Sequence, residues 1–306
     1  MCTYNGGNYL KEQMDSIINQ TYPVYELIVQ DDCSTDSTVN LLKEYEKEYP
    51  FIQVYRNEKQ KGITANFFSA MKRATGDYIA IADQDDIWVP KKIEIQVTYA
   101  KDFLLVAGAS QPFADGKAKI YGDEREPNIH LERLIYNCML SGHAMLFQRA
   151  LLDKIPATGE PDFFLYDHVI AMIAACYNSI KYIPKVLVYH RRHPGAATYM
   201  EPLNFERTLG NMFRIVLRTF GQYRKLRIPM SVYFSHIYSL LESVQEPSEM
   251  KENAMRLAWC QSKTSLVNYI RLTCICVRLR DKIFYAPEKN NVLAVLRALY
   301  FILVIY

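Results

Sequence analysis

Asp83-Gln84-Asp85 sets two carboxylates one residue apart, directly after the apolar run Tyr78 to Ala82 (YIAIA). Hard oxygen ligands in this D-x-D arrangement suit Mg²⁺ or Mn²⁺, ions that keep several waters and complete their shell from a substrate diphosphate. A second acidic pair, Asp31-Asp32, follows a different apolar run, Glu26 to Gln30 (ELIVQ). The alternative for each cluster is a solvated loop or a helix cap, and Asp86 in particular could cap a helix over Pro90 to Ala100. Farther on, His190-Arg191-Arg192-His193 gathers residue types that serve as metal ligands and as phosphate partners.

The elements that must position these side chains alternate. ELIVQ reads as a strand, and Cys33-Ser34-Thr35-Asp36 supplies N-cap chemistry for a helix in which Val39, Leu42, Tyr45 and Tyr49 recur at helical spacing. Phe51 to Tyr55 reads as a second strand, residues 64–74 as a helix after a turn at Gly62, and YIAIA as a third strand. Strand, helix, strand, helix, strand implies parallel pairing with right-handed crossovers. In open α/β sheets ligands sit outside the carboxyl ends of the strands. The two acidic clusters therefore face one crevice although they lie far apart in sequence.

Phe103 to Ala107 and Ala144 to Phe147 read as further strands, His130 to Met139 and Asp167 to Asn178 as helices. Ile180 to Tyr189, interrupted by Pro184, reads as a strand or hairpin that delivers the His-Arg-Arg-His run. After Pro202 the pattern turns to long helical stretches around 203–227, 230–245, 249–282 and 290–306. The expected division is an α/β domain over 1–202 and a basic α-helical region over 203–306. Met1 to Gly7 looks like the loop that ends a strand, so the sheet is expected to lack its first strand, as from an upstream start or a truncated chain.

Composition narrows the classes. The 306 residues are 50% hydrophobic and 23% charged, an ordinary globular balance that excludes fibrous, disordered and disulfide-dense chains. Seven cysteines, odd in number and irregularly spaced, point to reduced thiols in the cytosol. No signal-peptide pattern opens the chain. The net charge of +3 conceals an acidic first part and a basic second one: residues 203–306 hold 15 Lys and Arg against 7 Asp and Glu. Acidic clusters suit a cation site rather than a nucleic-acid groove. No G-x-G-x-x-G follows an expected strand, which disfavours a dinucleotide-binding oxidoreductase. Val292 to Tyr306 is apolar but broken by Arg297 and too short to span a bilayer; it lies in an interface, packs on a neighbouring helix or forms a dimer contact.

The runs CTYNGGNYLKEQMDSIINQTY, ELIVQDDCSTDST and ATGDYIAIADQDDIWVPKKI resemble, in order and spacing, the nucleotide-sugar half of family 2 glycosyltransferases, most of all rhamnosyltransferase-like bacterial members. The resemblance covers about residues 1–200. It implies the GT-A fold, an open, mostly parallel sheet flanked by helices. It also implies inverting, metal-dependent transfer of rhamnose or another hexose from a UDP- or dTDP-sugar to a hydroxyl of a surface polysaccharide or lipid-linked glycan. The rival reading is a catalytically inactive remnant that binds nucleotide or glycan.

Carried over by motif, Thr3 and Tyr4 hold the base and ribose, Asp32 accepts from the base N3–H, Asp83 meets ribose or sugar hydroxyls, and Asp85 ligates Mg²⁺ or Mn²⁺. Arg73 contacts the diphosphate or solvates its own face. Gly142 and His143 in SGHAMLF resemble the small-residue loop beneath the donor sugar. In FFLYDH, Asp167 resembles the general base, with Asp162 as the fallback. His193 resembles a further metal ligand, with Arg191 or Arg192 on the phosphate; His190 stands at the family's tyrosine position, so that register is open by one residue. The bland alternatives are a core aromatic at Tyr4, caps at Asp31, Asp32 and Asp167, and loop histidines at His143 and His193. The basic helices suit anionic phospholipid headgroups or a polyprenyl diphosphate acceptor, or else form a cap whose charges face water. The expected location is the cytoplasm, with peripheral contact to the inner face of the membrane.

Overall fold

Leu27–Asp31 (β2) is buried at all five positions, which requires cover on both faces of the strand. In the computed structural model, which describes residues 1–115, 120, 125–156, 164–196, 227–263, 265–285 and 289–304, that cover comes from flanking helices. Two units are present. One comprises Met1–Pro127, Met139–Ala174 and Asn178–Pro202; the other comprises Asn128–Cys138, Ala175–Tyr177 and Leu203–Tyr306.

In the first unit, β1 (Cys2–Thr3), β2 and β3 (Ile52–Arg56) form a parallel three-stranded sheet. The strand expected to be missing is represented by the two residues of β1, aligned with Gln30 and Asp31. Helix α1 (Leu10–Ile18) buries Leu10, Met14 and Ile17 at helical spacing, and α2 (Thr38–Glu48) buries Leu42 and Tyr45. Helix α3 (Ile63–Arg73) follows Gly62, whose φ of 81° suits a glycine.

The strand YIAIA, reduced to β4 (Tyr78–Ala80), belongs to a second sheet with β5 (Ile87–Trp88), β6 (Leu105–Phe113), β7 (Met145–Gln148) and β8 (Ile180–Arg191) in the order β4-β7-β6-β8-β5. Here β4–β7, β6–β7 and β5–β8 are antiparallel and only β6–β8 is parallel. The alternation of strand and helix thus governs the first sheet, whereas the second pairs its strands in mixed directions. Helix α4 (Lys92–Ala100) follows β5, and α6 (Tyr166–Cys176) precedes β8.

Ile180 to Tyr189 is one strand continuing to Arg191, not a hairpin. Gly108 aligns with Ile183 and Ala109 with Val186, so Pro184 and Lys185 are the extra residues of a bulge. Proline has no N–H to give a ladder, and the bulge lets the strand continue past it. A Cβ at Gly108 would run into Leu187, which is why this crowded register takes a glycine.

The second unit is helical. It holds α5 (Leu131–Leu134), α7 (residues 227–243), α8 (Glu249–Ser262), α9 (Leu266–Arg278), α10 (Arg280–Ile283) and α11 (Asn291–Val304). The expected helix over His130 to Met139 is a single turn that buries Leu131 and Leu134. Phe234, Ile237, Leu240 and Leu241 from α7, Leu257 from α8 and Cys276 from α9 are fully buried or nearly so. Ser248 and Ser265 cap α8 and α9 with their hydroxyls. The apolar C-terminal stretch forms α11, which buries Ala294, Ala298 and Ile302 at i, i+4 and i+8 and brings Leu299 O to the Tyr269 hydroxyl of α9. Of its three expected fates, packing on a neighbouring helix is therefore observed. The helix expected over 203–227 and the fallback base Asp162 lie outside the described residues, apart from Arg227. No described helix is long and apolar enough to cross a membrane.

Candidate functional site

The loops after β1 and β2 are laced together. Thr3 Oγ1 donates to Asp31 Oδ1 at 3.0 Å, Asn5 N to Ser34 Oγ at 2.9 Å, Gly6 N to Thr38 Oγ1 at 2.9 Å and Gly7 N to Asp36 Oδ2 at 3.1 Å. Asn5 and Cys33 take positive φ, 49° and 67°, in these tight turns. Thr3 is therefore buried at 2% exposure with its hydroxyl engaged, whereas Tyr4 leaves 46% of its surface open.

Asp32 is buried but not saturated. Its Oδ1 accepts from Asn57 Nδ2 at 2.7 Å and Lys61 N at 2.8 Å, and its Oδ2 accepts from Gly62 N at 2.9 Å. A carboxylate has about four acceptor positions, so one on Oδ2 stays open. Arg73 reaches Asp32 only indirectly: its Nε donates to Gln30 Oε1 at 3.2 Å, Gln30 Nε2 donates to Asn57 Oδ1 at 2.9 Å, and Asn57 holds Asp32. The guanidinium lies over the Tyr55 ring, 4.0 Å from its centroid, and the structure does not bring it to the D-x-D carboxylates.

The D-x-D segment joins this corner through its middle residue. Gln84 Oε1 accepts from Tyr4 N at 2.8 Å and Gln84 Nε2 donates to Tyr4 O at 3.0 Å. A Cβ at Gly6 would fall on the same Gln84 amide. The sequence singled out the flanking acids and passed over Gln84, because a lone amide carries no motif.

His193 arrives from the end of β8, and its Nε2 lies 2.8 Å from Asp85 Oδ2. That spacing lets both atoms ligate one cation, and a carboxylate oxygen with an imidazole nitrogen is a donor set that Mn²⁺ accepts readily. The expected metal-binding pair is thus brought together, and its residues fit such an ion. Burial, reinforced by the charge of Asp83, raises the Asp85 carboxyl against the opposing pull of His193. Tyr9 packs against His193 with ring centroids 4.5 Å apart.

Arg191 is 2% exposed. Its Nε donates to Asp85 O at 2.9 Å, its terminal nitrogens pair with Glu12 and Asp115, and its plane lies by the rings of Tyr9 and Phe113. The side chain therefore braces the backbone of the expected metal ligand. Behind it, Asp86, His143 and His190 bring ligand-type atoms within 4.8 Å of one another. His143 Nδ1 faces Asp86 Oδ2 at 3.3 Å and Asp83 Oδ2 at 3.4 Å, while Nε2 meets Ser110 Oγ at 2.7 Å. Burial pulls the imidazole down, but Asp86 and Asp83 outweigh it and raise His143. Burial lowers neighbouring His190 to about 4. With both ring nitrogens engaged, His143 buttresses the acids.

Asp167 opens α6. Its Oδ1 accepts from His168 N at 2.8 Å and its Oδ2 from Gly142 N at 3.3 Å. Burial raises its carboxyl, and the charge of Asp83 adds to the rise. Asp167 thus lies within electrostatic reach of the D-x-D acids, and its carboxyl is held above its ordinary value. Gly142 has a local reason: a Cβ there would collide with the Tyr166 ring.

The fold has known counterparts. Staphylococcus aureus TarS, residues 1–349 in complex with UDP-GlcNAc, superposes with a TM-score of 0.59 over 92% of this chain and 80% of that one, at 17% identity. The first unit accordingly has the GT-A fold. The family model described as Glycosyl transferase family 2 matches residues 1–155, and the chain belongs to that family. Among its relatives, the putative teichuronic acid biosynthesis glycosyltransferase TuaG of Bacillus subtilis is 37% identical over 97 residues, 32% of this chain and 38% of that protein. The dTDP-rhamnosyl transferase RfbG of Shigella flexneri is 38% identical over 99 residues, 31% of this chain and 34% of that protein. The matched stretches thus span little more than a third of these relatives.

Proposed function

We propose that the protein is an inverting glycosyltransferase that moves rhamnose or another hexose from a UDP- or dTDP-sugar to a hydroxyl of a surface polysaccharide or lipid-linked glycan. Residues 1–202 form the catalytic domain in this reading and 203–306 a basic helical region. The observation that carries it is the convergence of Asp83, the Asp85–His193 pair and Asp167 beside a loop corner with an exposed aromatic, Tyr4. The names of TuaG and RfbG and the bound nucleotide sugar of TarS support the donor and acceptor classes.

Tyr4 offers its ring to the base, and the open position on Asp32 Oδ2 accepts the base N3–H. Thr3 orders the loop by holding Asp31. Asp83 binds hydroxyls of the ribose or sugar. Asp85 and His193 would hold a Mg²⁺ or Mn²⁺ ion, which would supply positive charge to the departing nucleoside diphosphate. Arg191 keeps the Asp85 backbone in place, and Arg73 steadies Asp32 through Gln30 and Asn57. Asp167 takes the proton of the acceptor hydroxyl as its oxygen bonds to the anomeric carbon and the bond to phosphate breaks; a single displacement inverts that carbon. His143 and Gly142 set the floor beneath Asp83 and Asp167. The reading carries a cytoplasmic location, in keeping with seven cysteines that form no disulfide among the described residues.

Calorimetric titration of UDP and dTDP, with and without Mn²⁺, into the full chain and its Asp85→Asn variant tests the donor site, and transfer from the matching sugar nucleotides tests turnover. Metal-dependent binding lost in Asp85→Asn, with turnover, is the expected result. Binding without turnover would favour the inactive remnant, and binding indifferent to both metal and Asp85 would overturn the metal mechanism.

A further inference from the structure

Within the second unit, α7, α8 and α9 enclose a groove of about 770 Å³ whose walls include Met255, Trp259, Ile270 and Ile275, with Arg256 and Arg271 beside them. The apolar surface continues outward. Leu266, Val267 and Ile270, on one side of the first turns of α9, are 74%, 58% and 56% exposed. Trp259 is 39% exposed, and Lys263 Nζ stands 5.7 Å from its ring centroid. Such a run of exposed aliphatics beside a tryptophan is unusual on a surface that meets only water.

The charges around it select the partner. Arg256 is paired with Glu252 at 3.5 Å, but among the described residues neither Arg271 nor Lys263 makes an ion pair. The region from 203 onward carries 15 basic residues against 7 acidic ones. A second copy of the chain would bring the same excess against itself, whereas an anionic lipid surface satisfies the cations and the aliphatic face together.

We propose that the α8–α9 face is a membrane-docking surface for anionic phospholipid. Trp259, Leu266, Val267 and Ile270 enter the headgroup boundary, the groove receives part of an acyl chain, and Lys263 and Arg271 meet the phosphates. Tryptophan at the polar boundary and cations flanking an apolar helix face are the features of a helix that lies in an interface without crossing it. This inference is independent of the transfer reaction and stands or falls without it.

The test uses the full chain with vesicles of phosphatidylcholine alone and of phosphatidylcholine mixed with phosphatidylglycerol, read by flotation and by tryptophan emission. The chain has two tryptophans; Trp88 is buried at 5% exposure, so a blue shift and protection from iodide quenching report Trp259. The expected result is flotation and a blue shift with the anionic vesicles, weakened about tenfold by high salt or by omission of phosphatidylglycerol. Leu266→Ser/Ile270→Ser and, separately, Arg271→Glu each weaken binding about tenfold while the far-UV spectrum and Tm stay unchanged. The exposed position of these side chains makes folding tolerant of both changes. Absence of flotation and blue shift, or undiminished binding by both variants, overturns the proposal. So does self-association abolished by Leu266→Ser/Ile270→Ser in a chain that ignores lipid, which would assign the face to a second copy.

Discussion

The amide of Gln84 is paired in both directions with the backbone of Tyr4, accepting from its N–H at 2.8 Å and donating to its carbonyl at 3.0 Å. The segment bearing the expected metal ligand is thereby tied to the loop bearing the expected base-stacking ring. Two hydrogen bonds at a partly open site contribute about 1–2 kcal/mol together. Gln84→Ala is expected to weaken UDP or dTDP binding roughly tenfold and to lower Tm by a few degrees. Gln84→Glu, which accepts but cannot donate, falls between the two. Calorimetry on the three proteins checks the order.

Lys92 is wholly buried, and its ammonium lies 3.9 Å from the centroid of the Trp88 ring with no hydrogen-bond partner among the described residues. Burial pulls it down to about 7. Between there and the ordinary lysine range the unfolded chain holds a proton that the folded one has released, so stability rises with pH through that window. Below it, both states are protonated and the fold carries a buried charge costing on the order of several kcal/mol, offset in part by the ring. Lys92→Met is expected to raise the urea midpoint at pH 6 and to flatten the rise toward pH 10. A midpoint that falls at pH 6 would show that the ammonium has a partner worth more than its burial.

The ladder of the first sheet was legible because ELIVQ and the helix after it have unmistakable periods, and β2–β3 pairing follows from the crossover rule. The pairing of β4 with β7 was not, since Ala144 to Phe147 is an apolar run that fits either direction and the choice is made by chain sixty-odd residues away. Pro184 looked like a break because the bulge that absorbs it is set by β6. At the site, the acids announced themselves by type and position. The Asp85–His193 contact joins residues 108 apart and came from resemblance, and the support given by Gln84, Ser110 and Tyr9 left no trace in spacing. Charge alone left Arg73 open between the diphosphate and its own face, and the contacts it makes with Gln30 and Tyr55 had no signal in the sequence.

Asp167 has the most to lose by substitution. Its carboxylate is held by two backbone donors, His168 N and Gly142 N, and its burial near Asp83 raises its pKa above 3.8. A base must be unprotonated to accept, so kcat is expected to fall as pH drops through that raised value, with an acid limb displaced upward from that of an unperturbed carboxylate. Asp167→Asn keeps the shape and one acceptor but cannot take the proton. It should lower kcat by about 10² to 10⁴-fold and erase the acid limb, while calorimetric affinity for the nucleotide stays within about twofold of the parent. Loss of nucleotide affinity in equal measure with kcat would mean that Asp167 holds the Gly142 loop in place for binding and that the proton leaves by another route.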